Sequence, residues 1–417
     1  MTARLPVAAI LSLGVTQIIG YGTLYYSFSI LAPDMGATLG WSQEWVFGAL
    51  SIALLIGGLT APWLGSLIDR VGAGVVMTIG SAVAAAALIA CAYAPGRTTY
   101  VAALIGIEVA ANLVQYGAAF ALLVQLQPTV AQRSITYLTL IAGFASTLFW
   151  PLTSSLHTHL SWQNVYLVFA GLNLLVCLPL HAWLATGVTR SRKQAISTPP
   201  QPVIGTLPPD HRCSGFLLMT TAFALQYLAG SAVLVHMVPL LAGLGMGASA
   251  AIVGALFGPS QVASRLINMV FGKRLNALHL ALISAALIPV SAVILILSAP
   301  SIPGAMVFAV IFGMGNGLLS IVSGTLPLAL FGSEGYGKLQ GRMMAARLVA
   351  SALAPFVLAL TMEWFGIRIS IGVIIILALS AITFFAALFR LRRSSSQHDR
   401  TPRITTLSIR RSAIHAL

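Results

Sequence analysis

Between residue 6 and residue 390 the chain repeatedly runs for about 20 residues or more with scarcely a charge, the length a helix needs to cross the hydrocarbon core of a bilayer. Twelve such runs can be marked, at 6–32, 43–64, 73–94, 98–125, 134–157, 163–186, 213–241, 248–271, 277–298, 302–331, 339–362 and 366–390. Charged residues are only 7% of the 417, and hydrophobic ones reach 58%. Soluble globular chains carry roughly 25% charge, so a water-facing surface cannot be drawn from this pool. Disorder, collagen, coiled coil and a disulfide scaffold fall to the same figures. The first run is too long for a signal peptide, lacks a small-residue cleavage site, and is followed at once by another span. The expected fold class is an all-α membrane protein with twelve transmembrane helices.

The 22 Lys and Arg against 8 Asp and Glu give a net charge of +14. In a soluble protein that balance would suggest nucleic acid. Here it follows the positive-inside rule. With the N-terminus inside, Arg4, Arg70, Arg133, Arg190, Lys273, Lys338 and the basic tail all fall on one side. The other side keeps only Arg97 and Arg368, beside Asp34, Glu44 and Glu363. The sequence therefore predicts a multi-pass protein of a bacterial-type inner membrane with both termini cytoplasmic. Anionic lipid is an expected partner and nucleic acid is not.

One polar, proline-rich stretch interrupts the pattern and reads as a flexible cytoplasmic linker. The expected organisation is an N-terminal six-helix bundle over 1–186, that linker over 187–212, a C-terminal six-helix bundle over 213–391, and a disordered basic tail over 392–417. Glycines repeat between the halves at an offset of 207, as in Gly65 and Gly272, Gly106 and Gly313, and Gly117 and Gly324. Pro151 and Pro355 repeat at 204. Two parallel six-helix repeats with a substrate site between them near the midplane are the expected result.

Between the second and third spans lies Gly65-Ser66-Leu67-Ile68-Asp69-Arg70-Val71-Gly72. It resembles the Gly-x-x-x-Asp-Arg-x-Gly cytoplasmic loop of the major facilitator superfamily. That resemblance implies an alternating-access secondary transporter with the major facilitator fold. It also implies that Gly65, Asp69, Arg70 and Gly72 form the cytoplasmic gate motif. A carboxylate such as Asp69 can cap the positive end of a neighbouring helix reversibly. Ala73 and Gly74 stand where many members have further basic residues. Tyr25-Tyr26-Ser27-Phe28-Ser29-Ile30 and Leu39-Gly40-Trp41-Ser42 are similar to the monocarboxylate-porter and oxalate–formate-antiporter branch. In the monocarboxylate porters the eighth helix carries Asp-x-x-x-Arg. Here Gln261 replaces the Asp while Arg265 keeps the cation, which leaves that family's proton coupling open.

Ionisable residues inside spans cost several kcal/mol and usually face the interior and function there. Arg265 lies ~10 Å and Arg347 ~9 Å inside the cytoplasmic end at 1.5 Å per residue. The oxalate–formate antiporter similarly places cations in its eighth and eleventh helices. Two guanidiniums facing one cavity suit a carboxylate ligand. The alternative pairs each with a buried acid or lets it reach the interface. Glu108 is the only acid deep in the hydrocarbon, a proton-coupling candidate or a structural partner for an Arg or for Asn112. His236 is a substrate or proton ligand, or satisfies a helix break. Tyr25, with Tyr21 and Tyr26, offers polar handles on the first span, or belongs to an interfacial belt.

His157 and His159 lack companion ligands, so no metal site is expected, and no cofactor. The glycines at 313, 315 and 317 follow no strand and read as close helix packing. No phosphate-binding loop or nucleophile–base pair suggests an enzyme. The expected function is transport of a small organic anion, a carboxylate, by proton coupling or exchange, with Arg265, Arg347, Tyr25, His236 and Gln261 binding it in a monomer. A multidrug or metalloid efflux carrier of the same fold is the first alternative, and a non-transporting sensor or scaffold the second.

Overall fold

A chain that must satisfy every backbone N–H and C=O inside lipid has the helix as its simplest solution. The computed structural model describes residues 6–194, 201–247, 249–272 and 275–398 and is almost wholly helical. In the first half, α1 (Val7–Tyr21) passes through a wide π-helical turn (Gly22–Tyr26) into α2 (Ser27–Leu39). It is followed by α3 (Gln43–Val71), α4 (Ala73–Ala92), α5 (Arg97–Val114), α6 (Tyr116–Leu126), α7 (Ala131–Ala142) and α8 (Ala145–His157). The half closes with α9 (Trp162–Leu172), a second π-helical turn (Asn173–Cys177) and α10 (Leu178–Gln194). The second half holds α11 (Arg212–Leu241), α12 (Ser249–Ala255), α13 (Phe257–Phe271), α14 (Ala277–Ser298), α15 (Ile302–Phe331), α16 (Tyr336–Phe365) and α17 (Ile367–His398).

Among the described residues, eleven helical stretches are long and apolar enough to cross a membrane. Of the twelve expected runs, 248–271 is the exception. Pro259 has no N–H to give the carbonyl of Ala255, and the helix breaks at Leu256 into α12 and α13. Neither piece spans alone. Arg4, Lys273, Arg274 and the tail from 399 onward lie outside the described residues, while α17 carries the helix on to His398.

The expected flexible linker is held at one end. Thr206 and Leu207 donate their backbone N–H groups to the carbonyls of Ala329 and Leu330, both at 3.0 Å, and Ser333 N donates to Val203 O at 3.0 Å. Leu207 is buried against Met219 and Leu330 in the second half's core. Residues 203–207 therefore strap the turn that leads into α16.

Buried apolar side chains gather in one cluster drawn from residues 9–184, with Leu328 and Tyr336 added, and two clusters drawn from 207–388. The halves meet chiefly where α3 lies along α16, with further contacts of α7 against α13 and α15 and of α6 against α16. At the other end α2 and α9 make no extensive contact with the second half. The halves come into close contact at the end bearing residues 65–72.

Candidate functional site

The turn from α3 to α4 shows why its residues recur as a motif. Gly72 has φ 104, a conformation that favours glycine, and it lets the chain reverse directly into α4. Gln125 of α6 braces the turn from inside, donating to Ile68 O at 3.2 Å and accepting from Ala73 N at 2.8 Å. Asp69 then points across to the second half. Its two oxygens accept from the backbone N–H groups of Gly337 at 2.8 Å and Lys338 at 2.7 Å. These are orphan donors at the N-terminus of α16, where a carboxylate also meets the helix dipole. Close approach makes this possible: a Cβ on Gly65 would sit 2.8 Å from the Cα of Gly341. Arg70 is exposed and makes no hydrogen bond or ion pair among the described residues.

Arg265 of α13 is 4% exposed and has no acid beside it. Its guanidinium bonds neutral acceptors instead. Nε donates to Gly317 O at 3.3 Å and to the Ser320 hydroxyl at 3.1 Å, and Nη2 donates to the Gln261 side-chain oxygen at 3.1 Å. Nη1 reaches the first half, donating to Thr139 O at 3.1 Å. The fifth span breaks at Gly143 and Phe144, so Thr139 lies at the carbonyl-rich end of α7, where a cation is favoured. Any side chain at Gly143 would overlap that guanidinium. Gln261 is thus a hydrogen-bond partner of Arg265 through its side-chain oxygen.

Arg347 of α16 is placed differently. It stacks over the Tyr227 ring at 4.4 Å and forms no ion pair or hydrogen bond among the described residues. It lines a small, partly open pocket together with Tyr116, Gly117, Phe120, Tyr227, Met343 and Met344. The hydroxyl of Tyr21 is turned toward the same guanidinium. Glu108 of α5 is 5% exposed, unpaired, and within electrostatic reach of Arg347 and Tyr25. Tyr25 is 47% exposed and meets Tyr26 edge-on at 5.2 Å. The structure thus brings Arg347, Glu108 and Tyr25 into one region. Arg265 shares the neighbours Tyr26 and Tyr116 with Arg347 but does not line its cavity. His236 bonds back to Ala232 O of its own helix at 3.3 Å and lies outside the cavity lining.

The sequence model of the Major Facilitator Superfamily matches residues 13–301. The chain belongs to the major facilitator superfamily. Two solved structures share its fold. The human organic anion transporter MFSD10 (TETRAN) has a TM-score of 0.69 at 15% identity, covering 92% of this chain and 99% of that one. The proton:xylose symporter XylE bound to 6-bromo-6-deoxy-D-glucose has a TM-score of 0.67 at 13% identity, covering 91% of this chain and 96% of that one. No curated protein matches the sequence significantly. The chain is a multi-pass membrane transporter, not an enzyme.

In this facilitator, sequence reasoning missed the irregular backbone beside the cavity. The fourth span breaks at Gln115, which is extended at φ −80 and ψ −166, between α5 and α6. Gln17 of α1, 1% exposed, crosses over and donates to the freed Val114 carbonyl at 2.7 Å. The π-helical turns of the first and sixth spans are joined by Asn173 donating to the Thr23 hydroxyl at 3.0 Å. Such widened turns recur at functional sites. The available signal was the amides: Gln17, Gln115 and Asn173 are polar side chains within apolar runs. The glycines at 313 and 317 do pack closely, against Phe257, Ser260 and Ser264 of α13.

Proposed function

We propose that this facilitator carries a small organic anion, a carboxylate, by alternating access with proton coupling or exchange. The single observation that carries the reading is Arg347: a cation on a cavity wall, stacked on Tyr227, with no acid to neutralise it. A half-buried guanidinium that closes no ion pair is costly, and a carboxylate ligand is its natural complement. Glu108, unpaired and electrostatically linked to Arg347, supplies the proton-carrying group. Asp69 latches the cytoplasmic gate on α16, so the closed end is the cytoplasmic one. Arg265 serves as a clasp between the halves, because its Nη1 donates to Thr139 O of the first half while Gly317, Ser320 and Gln261 hold it in the second. The resemblance of the first two spans to the monocarboxylate and oxalate–formate branch supports the same substrate class, as does the anion transport for which MFSD10 is named.

One observation favours a second reading. Aromatic and methionine side chains at Tyr116, Phe120, Phe223, Tyr227, Met343 and Met344 form most of the cavity wall, as a polyspecific efflux carrier needs. Thermal unfolding of the purified protein with carboxylates and with hydrophobic cations separates the two, since a ligand that binds only the folded state raises Tm. Stabilisation by carboxylates supports the anion carrier. Stabilisation by hydrophobic cations alone replaces it with the efflux carrier.

A further inference from the structure

A helix leaves its last four carbonyls without partners of its own, and they are met by water or by groups from elsewhere in the chain. At the end of α15 the linker meets two of them. The N–H and the hydroxyl of Thr206 both donate to Ala329 O, at 3.0 and 3.1 Å, and Leu207 N donates to Leu330 O at 3.0 Å. Just beyond the helix, Ser333 N donates to Val203 O at 3.0 Å while Val203 N donates to the Ser333 hydroxyl at 3.1 Å. The strap lies directly on the helix end, since a Cβ on Gly205 would overlap Leu330 O and the Phe331 main chain. Leu207, 2% exposed, anchors it in the core of the second half.

The turn held in this way is only Gly332 to Gly335, with φ 88 and 64 at its two glycines. Tyr336, donating to Gly324 O at 2.7 Å, then fixes the start of α16 itself. The next N–H groups, of Gly337 and Lys338, are those that meet Asp69 from the first half. Linker and Asp69 thus act at opposite ends of one short turn. A latch that docks on a loose turn must order it first, and one that docks on a fixed turn need not.

We propose that residues 203–207 are a conformational device of the gate: the strap pre-orders the start of α16 as the receptor for Asp69 and so favours the form closed at that end. This rests on the latch reading of Asp69 and is independent of the substrate. Coupling of this kind is reciprocal, so weakening either contact loosens the other.

The test compares variants of the full-length protein. Gly205→Ala lifts the strap by main-chain overlap without removing a core side chain, and Leu207→Ala removes its anchor. Ile204→Ala, at a side chain 83% exposed, is the control. Spin labels at the exposed Val75 of α4 and Arg390 of α17 report separation of the halves. Gly205→Ala and Leu207→Ala should each raise the open fraction, and hydrogen exchange at Gly337 and Lys338, about 3- to 10-fold, the loss of one ordinary hydrogen bond. Ile204→Ala should match the wild type. In an Asp69→Asn background the strap variants should open the gate no further, whereas a change in general stability would add to it. Asp69→Asn alone should speed exchange at Thr206 and Leu207, a readout that leaves the strap itself unaltered. If Asp69→Asn opens the gate while the strap variants change nothing, or merely add to its effect, the strap proposal falls and the latch stands. If Asp69→Asn leaves both distances and exchange as in the wild type, both fall.

Discussion

The Nη1 of Arg265 donates to the carbonyl of Thr139 at 3.1 Å, a hydrogen bond that crosses from the second half of the chain to the first. Alternating access requires the halves to separate at this end, so the bond must break once per cycle. Hydrogen bonds to a charged group are worth about 1.5–3 kcal/mol. Arg265→Ala should therefore shift the population toward the form open at the end bearing Asp69. Spin labels on α7 and α13 read that shift as a longer distance distribution. An unchanged distribution removes Arg265 from the clasp role.

Asp69 works on the same equilibrium through different atoms. Asp69→Asn keeps one acceptor for Gly337 N or Lys338 N but loses the charge that meets the dipole of α16. The variant should insert and unfold normally while its turnover drops several-fold. Normal turnover at normal expression would end the latch assignment.

Packing between the halves gives a prediction free of charge. Gly65→Ala places a methyl 2.8 Å from the Cα of Gly341, and backbone cannot move aside cheaply. Overpacking of this kind costs about 1–3 kcal/mol. Gly48→Ala, where nothing lies within 4 Å, is the control and should be neutral or slightly stabilising. Chemical denaturation of the two variants side by side checks the ordering.

Glu108 carries the coupling claim. Glu108→Gln keeps the shape of the side chain but cannot exchange a proton. Uphill uptake into proteoliposomes should cease while counterflow exchange persists. Accumulation against a gradient by the variant would return Glu108 to a structural role beside Gly57 and Asn112.

Most spans and the turn from α3 to α4 were legible in the sequence because their causes are local. Twenty apolar residues must pair their own backbone, and Asp69 and Gly72 keep a recognisable spacing, whereas the break of the eighth run at Leu256 was not foreseen. The cavity was not legible, because its causes are tertiary. Arg265 stands out as a buried cation, yet its partner is a main-chain carbonyl that no residue type announces. The break at Gln115 has neither proline nor glycine at its centre, and it is held by Gln17 from another span. Tyr227 and Arg347 are brought into register only when α11 packs on α16.

The central claim is that Arg347 holds an anionic substrate, and ligand-dependent unfolding of the wild type, Arg347→Ala and Arg347→Lys tests it most directly. Monocarboxylates should raise Tm of the wild type. Arg347→Ala should lose that response, since removing one partner of a charge-assisted pair costs ~2–5 kcal/mol. Arg347→Lys should recover only part, because an ammonium restores charge without the planar fork. Full monocarboxylate stabilisation of Arg347→Ala, or stabilisation of the wild type by hydrophobic cations alone, would contradict the account.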